Sequence, residues 1–122
     1  MNKYPASRGT GKYHNTPVED GGIRFDSKAE AARYAELLML QKAGVISDLK
    51  HHPTYVIMDG YNKRDGTHVR PINYEGDYFY IENGQQVVED VKSKGTITQV
   101  FQLKRKLFER QYPEIDFRLV GV

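Results

Sequence analysis

Asp77 lies in one strand-like run, "NYEGDYFYIE", and Glu89, Asp90 and Lys92 lie in the next, "QQVVEDVK", where valine and tyrosine are the rule. Side chains alternate along a strand, so Asp90 and Lys92 share a face, about 7 Å apart at their Cα atoms. Val87, Glu89 and Val91 point the other way. Asp77, on the neighbouring strand of the hairpin, can approach Asp90 across the ladder. Two facing carboxylates repel unless a cation sits between them. A hard divalent ion, Mg²⁺ or Mn²⁺, resolves this, because it takes oxygen ligands and needs only one or two carboxylates beside substrate phosphates. A lysine next to it can orient the attacking water or neutralise charge at the scissile phosphate. The same residues also fit a surface hairpin whose charges simply face water.

The helix written "SKAEAARYAELLMLQKAG" bears on that choice. Ser27 is a good N-cap and Gly44 sits where a helix should stop. Glu30, Tyr34 and Leu37 are spaced i, i+4, i+7, so Glu30 shares a stripe with side chains that should face a sheet. Ser27 and Glu30 also read as a capping box, with the Glu30 carboxylate bonding back to the N-cap amide. Spacing alone favours the capping box.

The remaining elements form the frame. "HNTPVEDGGIRFDS" reads as a short hairpin turning at Asp20-Gly21-Gly22. "VISDLKHHPTYVIMD" reads as one or two strands interrupted by Pro53, and "DGYNKRDGTHVRP" as a hairpin loop. Residues 72–81 and 86–92 are two strands joined at Glu82-Asn83-Gly84. "TQVFQLKRKLFERQY" is a second amphipathic helix with Val100, Leu103 and Leu107 on one stripe, and "IDFRLV" is a closing strand. The expected fold is α/β, a central four- or five-stranded mixed sheet with two main helices packed against it.

Composition restricts the function classes. The chain has 122 residues, 39% hydrophobic and 28% charged, as in an ordinary globular domain. Cysteine is absent, which excludes disulfides and Cys-ligated zinc. No apolar run reaches the roughly 18 residues needed to cross a bilayer, and the N-terminus has no apolar segment of a signal peptide, so a cytoplasmic protein is expected. Net charge is +2. Lys3, Arg8 and Lys12 make residues 1–14 a basic tail, read as mobile, and "QLKRKLFER" carries four more cations, an arrangement that suits a polyanion.

An acidic residue in the first helix, an Asp on one strand, and "DVK" on the next strand followed by a helix resemble the PD-(D/E)XK nuclease superfamily. "FDSKAEAARYAELLMLQKAGVISDL" and "VVEDVKSKGTITQVFQLKRKLFE" are similar to a family of small phage and prophage proteins of that superfamily, labelled as a domain of unknown function. The likeness covers roughly residues 12–120; the superfamily's usual proline before the strand Asp is Gly76 here. It implies a restriction-endonuclease-like core over residues 15–122 and a magnesium-dependent endonuclease acting on DNA. Asp77, Asp90 and the Val91 carbonyl would bind metal, Lys92 would act on the water or phosphate, and Glu30 would be an outer or second-metal ligand. Relatives with a helix glutamate include Holliday-junction resolvases, which implies branched DNA as substrate and a homodimer. The rival classes are a non-catalytic DNA-binding or assembly module and a nicking or restriction-type nuclease on plain duplex.

Other residues are less specific. Lys12, Arg70, Lys94, Lys104 and Arg105 are the cations assigned to the DNA backbone, Lys104 at the edge of the helix stripe, where a snorkelling lysine fits as well. His51 and His52 are adjacent, so strand alternation points them to opposite sides and a shared metal site is not expected. The tyrosines between 34 and 80 fit sheet packing as well as stacking on bases.

Overall fold

The structure, a computed structural model, describes residues 18–20 and 23–121. The basic tail expected over residues 1–14, and Lys12 with it, lies outside the described residues. Strands β1 (Val18–Asp20) and β2 (Ile23–Phe25) pair antiparallel, Asp20 opposite Ile23. Helix α1 (Lys28–Lys42) starts at Ser27, whose extended backbone lets its hydroxyl accept the Glu30 amide. It ends at Ala43, and Gly44 follows at φ +79°, a conformation glycine adopts without strain. Next come β3 (Ile46–His51), β4 (Thr54–Met58), the short hairpin β5 (Tyr61–Asn62) and β6 (His68–Val69), and β7 (Ile72–Glu75). Then β8 (Tyr78–Glu82), β9 (Gln85–Lys92), a 3₁₀ turn (Lys94–Thr96), α2 (Gln99–Gln111) and β10 (Asp116–Gly121) complete the chain.

The central sheet has four strands in the order β10-β9-β8-β3, with β10 parallel to β9 and the other pairs antiparallel. The fold is therefore α/β with a mixed sheet and two main helices. Odd and even positions of β9 serve different layers. Val87 packs with Phe25, Leu37, Ile46, Tyr78 and Tyr80 on the α1 side, while Val88 packs with Phe79, Phe101 and Phe108 on the α2 side.

Two expectations need correction. Residues 72–81 are not one strand. The run breaks at Gly76-Asp77, and β7 leaves the central sheet to pair with β4 in a separate two-stranded sheet. The Gly76 amide donates to the Pro53 carbonyl at 2.9 Å. A Cβ at Gly76 would lie 2.9 Å from Val88 Cγ1, so only glycine lets β7 cross this closely over β9. Gly76→Ala is expected to destabilise the protein by about 1–3 kcal/mol, the usual cost of overpacking, read as a lower urea midpoint.

The second correction concerns α2. Its buried residues are Phe101 and Phe108, seven apart, while Val100 and Leu103 are 62% and 61% exposed and Leu107 is also exposed. Both apolar stripes have helical spacing. The aromatic one wins because Phe108 meets Tyr55, Tyr74, Tyr112 and Phe117 at centroid distances of 5.0–6.1 Å, and aromatic rings bury more area than aliphatic ones.

Candidate functional site

The break before β8 fixes Asp77. Its amide donates to the Glu89 carbonyl and its carbonyl accepts from the His52 amide, both at 2.9 Å. One carboxylate oxygen, Oδ2, accepts the Val91 amide at 2.6 Å. The β8–β9 register pairs Tyr78 with Glu89, so Asp77 stands one step further, level with Asp90. The two carboxyl groups are close enough that each shifts the ionisation of the other. Asp90 is buried, receives a short hydrogen bond from the Tyr74 hydroxyl, and has Lys92 Nζ 3.6 Å from its Oδ1. Lys92 in turn lies over the Phe101 ring, 4.7 Å from its centroid.

Charge in this cluster is unbalanced. Burial raises Asp77 well above the usual carboxylate range, and the charges of Asp90 and Glu30 raise it further, against the Val91 amide. Burial also raises Asp90, but Lys92, Tyr74 and Asp77 oppose that. Both carboxyls therefore sit above the usual range, Asp77 well above it, and they titrate as a pair rather than independently.

A cavity of about 230 Å³ opens onto the cluster, lined by Asp26, Ser27, Glu30, Asp77, Val91 and Lys92 among others. The geometry thus brings together Glu30, Asp77, Val91 and Lys92, with Asp90 beside Asp77 and Lys92. The strand alternation and the cross-strand approach read from sequence both hold. Oxygen donors dominate, which suits a hard cation, and burial disfavours ionising both carboxyls unless a cation joins them. The residues fit Mg²⁺ or Mn²⁺ on that ground.

Only the Ser27 half of the expected capping box forms, because the Glu30 carboxylate goes to His51 and His52 instead of the N-cap amide. The Glu30 amide is capped by Ser27 Oγ at 3.2 Å, yet its carboxylate turns inward and is almost fully buried. There Oε2 meets both His51 Nε2 and His52 Nε2 at 2.9 Å. Burial works against the charged form of Glu30, but the hydrogen bonds and charges of His52 and His51 outweigh it and lower its pKa. Burial likewise opposes charge on His52, and Glu30, Glu75 and Asp26 outweigh it, so the imidazole is raised.

The two histidines correct the alternation argument. They do not face opposite sides: their rings stack with centroids 3.7 Å apart. Strand geometry ends at His51, and His52 has φ +56°, which rotates its side chain onto the same side. The signal in the sequence was Pro53, which stops the ladder one residue later.

Glu89 lies on the other face, as alternation requires, but does not face water. It is fully buried under α1, where Arg33 Nε and Nη2 reach its two oxygens at 2.9 and 2.6 Å and the Tyr80 hydroxyl donates to Oε2. Among the cations assigned to DNA, Lys104 and Arg105 are half-buried on α2, and Arg70 is exposed ahead of β7. Arg105 packs over the Phe117 ring at 4.6 Å and pairs with Glu109. The side chain of Lys94 lies outside the described residues.

No helix among the described residues is long and apolar enough to cross a membrane. A search of curated proteins finds no match to the chain. Residues 10–121 match the family described as a protein of unknown function (DUF1064), and the chain belongs to that family.

Proposed function

We propose that this protein is a metal-dependent endodeoxyribonuclease of the PD-(D/E)XK type, hydrolysing phosphodiester bonds in DNA. The observation that carries the reading is the convergence of Asp77, Lys92 and Glu30 on one cavity, with Asp90 buried behind them against Lys92. Asp77 and Asp90 would hold Mg²⁺ or Mn²⁺, with the Val91 carbonyl and Glu30 at its margin. Bound there, the ion lowers the pKa of its water and offsets charge on the phosphate oxygens.

The chain's own residues do the rest. The Val91 amide orients the Asp77 carboxylate, and the Tyr74 hydroxyl orients that of Asp90. Lys92, held between Asp90 and Phe101, keeps its ammonium at the cavity wall. There it meets the scissile phosphate or the attacking water, where a positioned cation favours the transition state. Arg70, Lys94, Lys104 and Arg105 are the cations we assign to the DNA backbone, with Lys12 from the basic N-terminal segment. We take branched recombination intermediates as the substrate, a homodimer as the working unit because two strands must be cut symmetrically, and the cytoplasm of a phage-bearing host as the setting.

The test is a panel of branched, duplex and single-stranded DNA incubated with Mg²⁺, Mn²⁺ or EDTA. Cleavage of the branched substrate that EDTA abolishes is the expected result. Equal cutting of plain duplex makes it a nicking or restriction-type enzyme. No cutting at high protein leaves a DNA-binding or assembly module. Lys92→Ala is expected to lower turnover by about 10²–10³-fold, the size of losing one transition-state charge partner, while calorimetry still registers Mn²⁺ binding.

A further inference from the structure

We propose that Glu30, His51 and His52 form a second cation site, one that takes a borderline transition metal such as Zn²⁺ or Co²⁺. Its chemistry differs from the all-oxygen Asp77–Asp90 pair. Two imidazole nitrogens and a carboxylate oxygen are a zinc-type donor set, and imidazole does not favour Mg²⁺. The three donor atoms lie within 4.8 Å of one another, and both Nε2 atoms are 2.9 Å from the same Glu30 oxygen. Ligands on a tetrahedral zinc at 2.0–2.2 Å stand about 3.4 Å apart, so each Nε2–Oε2 pair needs to open by only about half an ångström to admit an ion.

A plain ion pair explains less. One imidazolium would satisfy Glu30, yet two rings stack at 3.7 Å and aim at one oxygen. Two stacked imidazoliums would repel, whereas one metal ion replaces both protons. The donors are also held in place. Ser27 caps the Glu30 amide and the Tyr78 hydroxyl donates to the Glu30 carbonyl at 2.7 Å. Phe25 and Tyr78 flank the His51 ring at 5.0 and 5.6 Å.

The far side of His52 supplies an independent pointer. Its Nδ1 lies 4.0 Å from the Glu75 carboxylate, beyond hydrogen-bond distance but on the side where a carboxylate usually backs a metal-bound histidine, so a small side-chain shift would complete that arrangement. His52 also holds φ +56°, a backbone region that non-glycine residues visit sparingly and that recurs at functional sites. Both imidazoles are 19% exposed, so three protein ligands leave an outward position open, as in a catalytic rather than a structural zinc site. The site stands on this geometry and not on the nuclease reading, although Glu30 also lines the cavity of Asp77.

The experiment is calorimetric titration of the full-length, EDTA-treated protein with Zn²⁺ in excess Mg²⁺. One equivalent is expected in the wild type and in Asp77→Asn. His51→Gln and His52→Gln are each expected to weaken binding more than 10-fold, and Glu75→Gln by about 10–100-fold, as for loss of an outer-shell partner. Unchanged uptake in the histidine variants, or loss in Asp77→Asn, overturns the site. Should a histidine variant fail to fold, the wild type decides: Co²⁺ must shift the ring resonances of two of the four histidines, and a shift of fewer than two overturns it. Nuclease activity enters none of these readings.

Discussion

Asp77→Asn is expected to abolish metal-dependent cleavage, by at least about 10²–10³-fold, and at the same time to raise the melting temperature of the metal-free protein at neutral pH. The two effects have one cause. Asp77 is raised well above the usual carboxylate range by burial, by Asp90 and by Glu30. A folded-state pKa above the unfolded one contributes stability that is complete below the unfolded value. That stability is lost as pH rises through the folded value. The metal-free wild type should therefore lose stability from the ordinary carboxylate range upward, and added Mn²⁺ should restore it with release of a proton. An asparagine side chain can still accept the Val91 amide through its oxygen and offer its nitrogen toward Asp90, without the like charge that opposes ionisation of the pair. Melting curves from acid to neutral pH, with and without Mn²⁺, give the check. A variant less stable than wild type at neutral pH, or a wild type whose stability does not fall with pH, would contradict the charge assignment.

The parts legible in the sequence are those decided locally. Helix α1 was marked by its Ser27 cap and by Gly44. The β8–β9 hairpin was marked by Asn83-Gly84, which sit at φ +52° and +76° as a tight hairpin turn demands. Strand alternation then placed Asp90 with Lys92 and sent Glu89 to the other side, because a period of two leaves no freedom once the strand exists. What stayed hidden was decided by partners distant in sequence. The apolar run 72–81 carries no mark, beyond Gly76, that β7 belongs to a different sheet from β8. Two stripes of α2 compete at helical spacing, and the packing of Tyr55, Tyr74 and Phe117 around Phe108 selects one. Glu30 fits both a capping box and a buried ligand position, and only the placement of His51 and His52 turns its carboxylate inward. Glu89 could be assigned a face but not a partner, since Arg33 reaches it from 56 residues away.

That partner makes the second large prediction. Arg33→Met is expected to destabilise the protein by about 3–5 kcal/mol, the cost of leaving one member of a buried ion pair without the other. Glu89 has no exposed surface, whereas the Arg33 side chain is 24% exposed, so the burden falls on the carboxylate, which would keep only the Tyr80 hydroxyl. Glu89→Gln should cost less, because the stranded guanidinium retains Glu36 and some contact with water. Replacing both partners at once, Arg33→Met with Glu89→Leu, should recover most of the loss, since an apolar pair of similar volume is often neutral or better. The Tyr80 hydroxyl oxygen would still accept from Arg118 Nη1 at 3.3 Å, although its own proton would lose Glu89 as acceptor. Urea denaturation of the three variants measures each term, and a loss below about 1 kcal/mol for Arg33→Met, the level of a surface pair, would show the bridge to be dispensable. The contrast with the neighbouring position is the point. Asp90 and Glu89 are adjacent carboxylates on one strand, yet the first should cost activity with little loss of fold and the second should cost fold with little loss of activity per folded molecule. What separates them is the face each presents: one to Asp77 and Lys92, which line the cavity, the other to an arginine on α1.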